Sequence, residues 1–302
     1  MPLSASSPSP AAPLSATPPA GRFIPFDLAT GATYALGLTY ADHIRETGER
    51  PGRPVVFQKH CAATPGEGAR VATPTPQALC DLLLALDPAL AAWLSPRLGA
   101  IPPLLDYEGE IGVVLFDPVT EAALATGAPL PRLGFFLAND LTARSIQIAG
   151  EGTANRLDFW SSAKSLPGFL PVGPRVWCPD GVGPEALPQV VLRTHVNGTL
   201  RQSASTGTVL YTLRQMLQVA AVVAPGRCLR AHDLVLTGTP AGIALSVPRW
   251  KRRLALLLAR RQRIRAAVRS AAANPRFLQP GDTVRVSADW LGSCECTIAG
   301  AA

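Results

Sequence analysis

The chain has 302 residues, 47% of them hydrophobic and 16% charged, with a formal net charge of +7 at pH 7. That length is enough to bury the core of one large domain or two ordinary ones, and the composition excludes wholesale disorder. Apolar stretches are broken by Asp81, Asp87 and Pro88, or by Arg214, before they reach the roughly 18–20 clean residues of a membrane span, so no transmembrane segment is expected.

In chain order, residues 1–20 form a Ser-, Pro- and Ala-rich tail of low complexity that is expected to be disordered, with order beginning near Phe23. In Tyr40-Ala41-Asp42-His43-Ile44-Arg45-Glu46, the spacing places His43 and Glu46 on one face of a short helix. A carboxylate beside an imidazole fixes its tautomer and raises its basicity, as a general base acting on water requires. The same spacing also suits an ordinary polar helix surface. Residues 76–94 have helical periodicity, interrupted at Asp87-Pro88.

From Leu105 the text becomes strand-like. Asp106-Tyr107-Glu108-Gly109-Glu110 runs into the apolar strand Ile111 to Phe116, which ends at Asp117-Pro118. On a strand, Glu108 and Glu110 share a face, and two like charges there repel unless a cation or proton relieves them. If the chain returns so that Asp140 joins them, three oxygens suit a hard ion such as Mg²⁺ or Mn²⁺. Solvated acids on an edge strand are the alternative at this point.

Further on, residues 188–198 end in the hairpin signal Asn197-Gly198, with Thr199 to Gln202 as the return strand. Residues 207–224 read as a helix stopped by Pro225-Gly226. Leu234-Val235-Leu236 reads as a buried strand before the turn Thr237-Gly238-Thr239-Pro240. Val284 to Val286 follows the turn Pro280-Gly281-Asp282. Short strands with unevenly spaced helices predict an α+β fold with a mixed, curled sheet.

Basicity is local. Residues 249–276 hold ten basic side chains and no acidic one, which leaves the rest of the chain net acidic. Within 250–273, Leu254, Leu257, Leu258, Ile264 and Val268 fall near one face of a helix about 36 Å long, with arginines over much of the remainder. Such a helix could cover its own protein or a dimer partner, draw in or close over an anionic substrate, or bind nucleic acid or an anionic membrane. No zinc, aromatic RNA-binding or helix-turn-helix motif accompanies it, so nucleic acid and membrane are not the expected partners.

Elsewhere positive charge is written almost entirely as arginine, so Lys59 and Lys164 stand out. A compact ammonium can stabilise an enolate or oxyanion beside a metal, although chance lysines would look the same. The six cysteines show no CxxC pairing and read as small buried hydrophobes in a cytoplasmic chain with reduced thiols.

Seven segments in order resemble the fumarylacetoacetate hydrolase family. They are Gly37-Leu38-Thr39-Tyr40-Ala41-Asp42-His43, Asp106-Tyr107-Glu108-Gly109-Glu110, Asn139-Asp140-Leu141-Thr142-Ala143-Arg144, Ala163-Lys164-Ser165, Val196-Asn197-Gly198, Thr237-Gly238-Thr239-Pro240-Ala241-Gly242 and Pro280-Gly281-Asp282. The likeness covers roughly residues 34–298 and makes 21–302 a catalytic domain with a basic helical insertion at about 247–277. It implies a mixed β-roll with short peripheral helices, a cytoplasmic homodimer, and Mg²⁺ or Mn²⁺ held by Glu108, Glu110 and Asp140. It also implies a water-activating His43–Glu46 pair on a lid helix and stabilisation of an enolate or oxyanion by Lys164. Arg144, Gln147 and Thr239 would touch substrate, with Lys59 adding charge at the rim.

The substrates so implied are small 2-oxo or 1,3-diketo acids of the kind met in aromatic catabolism, such as acylpyruvates or fumarylacetoacetate-like compounds, hydrolysed at a C–C bond. An oxaloacetate-type decarboxylase and a 2-hydroxy-dienedioate isomerase are the enzymatic alternatives. A binding protein that uses the basic helix of 249–276 is the non-enzymatic one. Ser145 stands where the family often has Asp, His60-Cys61 where Pro or Ser is more usual, and the stretch 247–277 where the family passes quickly between turns.

Overall fold

The computed structural model describes residues 17–47, 52–91, 101–245 and 260–301. Strand periodicity organises the core. In Gly109–Leu115 and its antiparallel neighbour Leu133–Asn139, every residue is buried. Alternate side chains point to opposite faces. Ile111, Val113 and Leu115 join Phe135 and Leu137 in one apolar cluster, while Val114 joins Phe136 and Ala138 in another. A strand clad on both sides needs a continuous apolar run, and the sequence supplies one.

These two strands lie in the middle of the larger sheet. Its main path runs Gly21–Pro25, Arg175–Pro179, Leu133–Asn139, Gly109–Leu115, Leu234–Leu236, Thr33–Gly37, Val55–Lys59. A second sheet runs Thr199–Ser205, Val191–Val196, Thr283–Ala288, Gly292–Ala299, Ala69–Ala72. Leu234–Leu236 pairs parallel to Thr33–Gly37, and Gly292–Ala299 parallel to Ala69–Ala72. Most of the other ladders are antiparallel, so the fold is the mixed α+β roll expected, with sheets that do not close into a barrel. Residues 1–16 of the expected tail lie outside the described residues.

Local chemistry sets the element ends. Helix Pro76–Leu86 starts where Thr75 accepts a hydrogen bond from Ala78 N at 3.1 Å, and Pro76 is its first residue. It stops at Asp87, whose side chain caps a separate turn, Pro88–Leu90, so the periodicity of 76–94 is divided where the sequence interrupts it. The helix expected over 207–224 spans Leu213–Val223. The reciprocal capping box of Thr212 and Gln215 fixes that later start, and residues 206–208 form a 3₁₀ turn instead.

Within the basic segment, Arg260–Ala272 is helical. Ile264 and Ala271 are buried, with Ala267 and Val268 packed beside them, in a cluster that includes Leu83, Ile148 and Phe277. Arg265 and Arg269 face outward. The described part of the helix therefore covers its own protein, and Leu254, Leu257 and Leu258 lie outside the described residues. All six cysteines are free. Among the described residues no helix is long and apolar enough to cross a membrane.

Candidate metal centre

Register brings three carboxylates together. Gly109 pairs with Asn139, so the start of one central strand and the end of the other lie at one edge of the sheet. Glu108 and Glu110 sit at that start, and Asp140 follows that end. Asp140 N donates to the Glu108 carbonyl at 2.8 Å, and Thr142-Ala143 turns back to pair with Leu105-Asp106. Oxygens of Glu108, Glu110 and Asp140 lie within 4.8 Å of one another, and all three residues are buried.

The second sheet presses against this edge. A Cβ at Gly109 would overlap Thr194 Oγ1, so only glycine permits the approach. Gln202 exploits it: Gly109 N donates to its Oε1 at 3.0 Å, and its Nε2 donates to Thr239 Oγ1 at 2.9 Å. Thr239 Oγ1 in turn donates to the Gly109 carbonyl at 3.0 Å. Sequence reasoning missed Gln202, which carries no local motif beyond its place in the return strand of the hairpin.

Three cations answer the carboxylates. Lys164, the last residue of helix Arg156–Lys164, places Nζ 2.7 Å from Glu108 Oε2 and 2.6 Å from Asp140 Oδ2. Lys59, the last residue of strand Val55–Lys59, reaches Asp140 Oδ1 at 2.8 Å and the Lys164 carbonyl. Arg144 donates to Asp106 Oδ2 at 2.8 Å, to Glu108 Oε1 and to Gln147 Oε1 at 2.6 Å.

One of these positions differs from the expectation. Lys59, expected at the rim, is only 2% exposed and serves Asp140. A buried ammonium needs a carboxylate partner, and the end of its strand delivers it to one. Arg144, Gln147 and Thr239 are buried as well, with the polar contacts given above made inside the protein. Asp106, not singled out from the sequence, is a hub: beside Arg144 it accepts Ala244 N at 2.7 Å and Leu245 N at 3.1 Å.

Electrostatics separates the two glutamates. Burial pushes Glu108 up, but Lys164 and Arg144 outweigh it and hold the carboxyl down at about 2. Glu110 goes well above its ordinary value of 4.5, through burial and then the Asp140 charge, against the partial relief of Lys164. Burial would lower Lys164, but Asp140 and Glu108 keep its ammonium raised. Burial, then the Glu110 charge, likewise raises the Tyr40 phenol and keeps it protonated.

The His43–Glu46 pair lies on the short helix Ala41–Thr47. His43 Nδ1 stands 3.6 Å from Glu46 Oε2, which is ion-pair range and longer than a hydrogen bond. Gly242 N donates to the same Glu46 oxygen at 3.1 Å, and Gly238 N donates to Glu110 Oε2 at 2.8 Å. The Thr237–Gly242 turn therefore touches both the carboxylate cluster and the pair.

The residues present fit a divalent ion. The donor set is oxygen only and suits a hard cation. The Lys164 ammonium lies across two of the three carboxylates, so the cluster already draws a cation. Four buried carboxylates, Asp106 included, face three cationic side chains, and a divalent ion would tip that balance to net positive.

The sequence profile described as fumarylacetoacetate (FAA) hydrolase C-terminal matches residues 32–299. An uncharacterized protein of Staphylococcus saprophyticus is 27% identical over 275 residues, covering 90% of this chain and 70% of that protein. Among solved structures, a fumarylpyruvate hydrolase from Pseudomonas aeruginosa in complex with Mn²⁺ and pyruvate superposes with a TM-score of 0.56 at 17% identity, over 94% of this chain and 97% of that one. A 2-hydroxyhepta-2,4-diene-1,7-dioate isomerase from Mycobacterium marinum gives 0.52 at 22% identity, over 90% and 75%. At these identities the two structures share the fold.

Proposed function

The chain belongs to the fumarylacetoacetate hydrolase family, and from that membership we propose a divalent-metal-dependent hydrolase that cleaves C–C bonds of 2-oxo and 1,3-diketo acids. The observation that carries this reading is the buried convergence of Glu108, Glu110 and Asp140 under the Lys164 ammonium. Glu108, Glu110 and Asp140 would hold Mg²⁺ or Mn²⁺, which supplies a Lewis acid for the carbonyl of a chelating 2-oxo acid. The Mn²⁺ and pyruvate in the Pseudomonas aeruginosa neighbour support the same pairing of ion and substrate class.

In this reading His43 takes a proton from water through Nε2, because Nδ1 faces Glu46. The hydroxide so formed adds to the distal carbonyl of the 1,3-diketo acid. The C–C bond between that carbonyl carbon and the methylene breaks, giving a carboxylic acid and the enolate of a 2-oxo acid. Lys164 stabilises the enolate charge, and the proton taken by His43 returns to the carbon. Lys59 holds the Asp140 carboxylate in place. Arg144, oriented by Gln147, holds Glu108 and favours its ionised form, and Thr239 fixes the wall beside Gly109.

The test is a Mn²⁺-supplemented panel of acylpyruvates, fumarylacetoacetate, oxaloacetate and dienoates, read beside direct Mn²⁺ binding. Turnover of an acylpyruvate or of fumarylacetoacetate that disappears on chelation supports the reading. A chain that binds Mn²⁺ and turns over none of them, or that binds no Mn²⁺, overturns it. The Mycobacterium marinum neighbour's name favours one second reading, isomerisation of a 2-hydroxy-dienedioate at the same site, which the dienoate arm decides. The same family reading takes the enzyme as a homodimer, and sedimentation at the expected dimer mass checks it.

A further inference from the structure

The residues that follow the basic helix lie against the Gly242–Ala244 backbone. Asn274 Nδ2 donates to the Ala244 carbonyl at 2.8 Å, and Asn274 Oδ1 accepts the Arg276 N–H at 3.0 Å. With its backbone fixed in this way, Arg276 extends Nη2 to the Gly242 carbonyl at 2.6 Å. The Tyr107 hydroxyl, 3.2 Å from Arg276 Nη2, donates to the same carbonyl at 3.2 Å. The N–H of that very residue, Gly242, points the other way and donates to Glu46 Oε2, the oxygen that faces His43 Nδ1.

Gly242 has φ +108°, and a Cβ there would overlap the Arg201 carbonyl. Its two peptide planes are held in a conformation that neighbours must enforce. The carbonyl has two donors on it, and the aim of the N–H follows from where that carbonyl is pinned.

We propose that Arg276 is a positioning residue for the His43–Glu46 pair. Its guanidinium, with the Tyr107 hydroxyl, clamps the Gly242 carbonyl so that the Gly242 N–H holds Glu46 against the imidazole. Its Arg276 half comes from beyond the basic helix, outside the seven-segment series, and so ties this chain's extra segment to the proton-transfer group. The kinetic half of the inference rests on the hydrolase reading above.

The experiment compares Arg276→Met, Arg276→Lys and Tyr107→Phe with the parent chain. It uses three readouts: kcat and KM on an acylpyruvate, the Mn²⁺ dissociation constant, and ¹⁵N spectra of the histidine rings in metal-free protein. A group that only orients a catalytic pair lowers turnover by about 10–100-fold without changing binding. Arg276→Met is therefore expected to lower kcat about 10–30-fold, with KM and Mn²⁺ affinity within about twofold. Arg276→Lys, which keeps one donor, recovers kcat to within about threefold, and Tyr107→Phe falls between the two. The His43 ring signals shift in Arg276→Met while those of His60, His195 and His232 stay in place. Unmoved His43 signals, a lysine variant no better than methionine, or a loss carried by KM or Mn²⁺ affinity overturns the clamp. If the parent chain turns over no substrate, the hydrolase reading fails alone and the ring spectra still decide the clamp.

Discussion

The carboxylate cluster and the His43–Glu46 pair are held in opposite ways. The cluster grows from the ends of two central strands buried on both faces, and three cationic side chains cross-link it. The pair rides on a seven-residue helix, 3.6 Å apart, with Glu46 tied by the turn that Arg276 clamps. One region is preorganised by the core. The other takes its geometry from loops. A site that must keep an ion fixed and still admit substrate and water can divide its rigidity in this manner.

The largest expected effect breaks the first region. Glu110→Ala should remove Mn²⁺ binding by at least about 100-fold and all metal-dependent turnover with it, as calorimetry and the substrate panel would show. Retained tight binding would detach the carboxylates from the metal. His43→Ala should abolish hydrolysis and spare any decarboxylation of oxaloacetate, with Mn²⁺ affinity unchanged within about twofold, since decarboxylation needs no attacking water. Equal loss of both reactions would remove the distinction between the regions.

Next comes Asp106→Ala. It takes from the buried Arg144 one of its two carboxylate partners and leaves Ala244 N and Leu245 N without their acceptor, and should cost about 3–5 kcal/mol in urea unfolding. A cost under about 1 kcal/mol would show that the hub is not structural.

The smallest effect sharpens the comparison through pH. Glu110 stands well above 4.5 in the metal-free chain. Above 4.5 the folded state therefore keeps a proton that the unfolded state has released, and stability falls as pH rises through that window. Glu108, held at about 2, does the reverse: its stabilisation is present above 4.5 and is lost as pH falls from there towards about 2. The urea midpoint of metal-free protein should decline with rising pH more steeply than that of Glu110→Gln, and saturating Mn²⁺ should remove the difference. Parallel curves for the two proteins would contradict the raised Glu110.

Much of the cluster was legible because strand geometry is local. Period-two alternation and the apolar run Ile111 to Phe116 place the central strand, and the shared strand ends account for Asp140 meeting Glu108 and Glu110. The Asn197-Gly198 hairpin was readable for the same reason. What was not legible depends on distant partners. Lys59 looked like a rim charge because nothing near it in sequence shows that Asp140 waits 81 residues away. Gln202 and Asp106 each bond backbone groups, which carry no residue-type signal, beside one side chain far away in sequence. The helix start at Thr212 was missed because apolar spacing runs through 207–211, and a cap decides the boundary.

The hydrogen bond between Asn274 and Ala244 has a further consequence. It holds two residues 30 apart in sequence side by side, at the foot of a helix whose Ile264 and Ala271 are packed into the core. The chain entropy lost in closing a loop grows only slowly with its length. The contact thus marks a port before Arg260 at which residues can be added at small cost, whereas trimming the helix would uncover Ile264 and Ala271, and Asn274 and Arg276 must be kept at the gate.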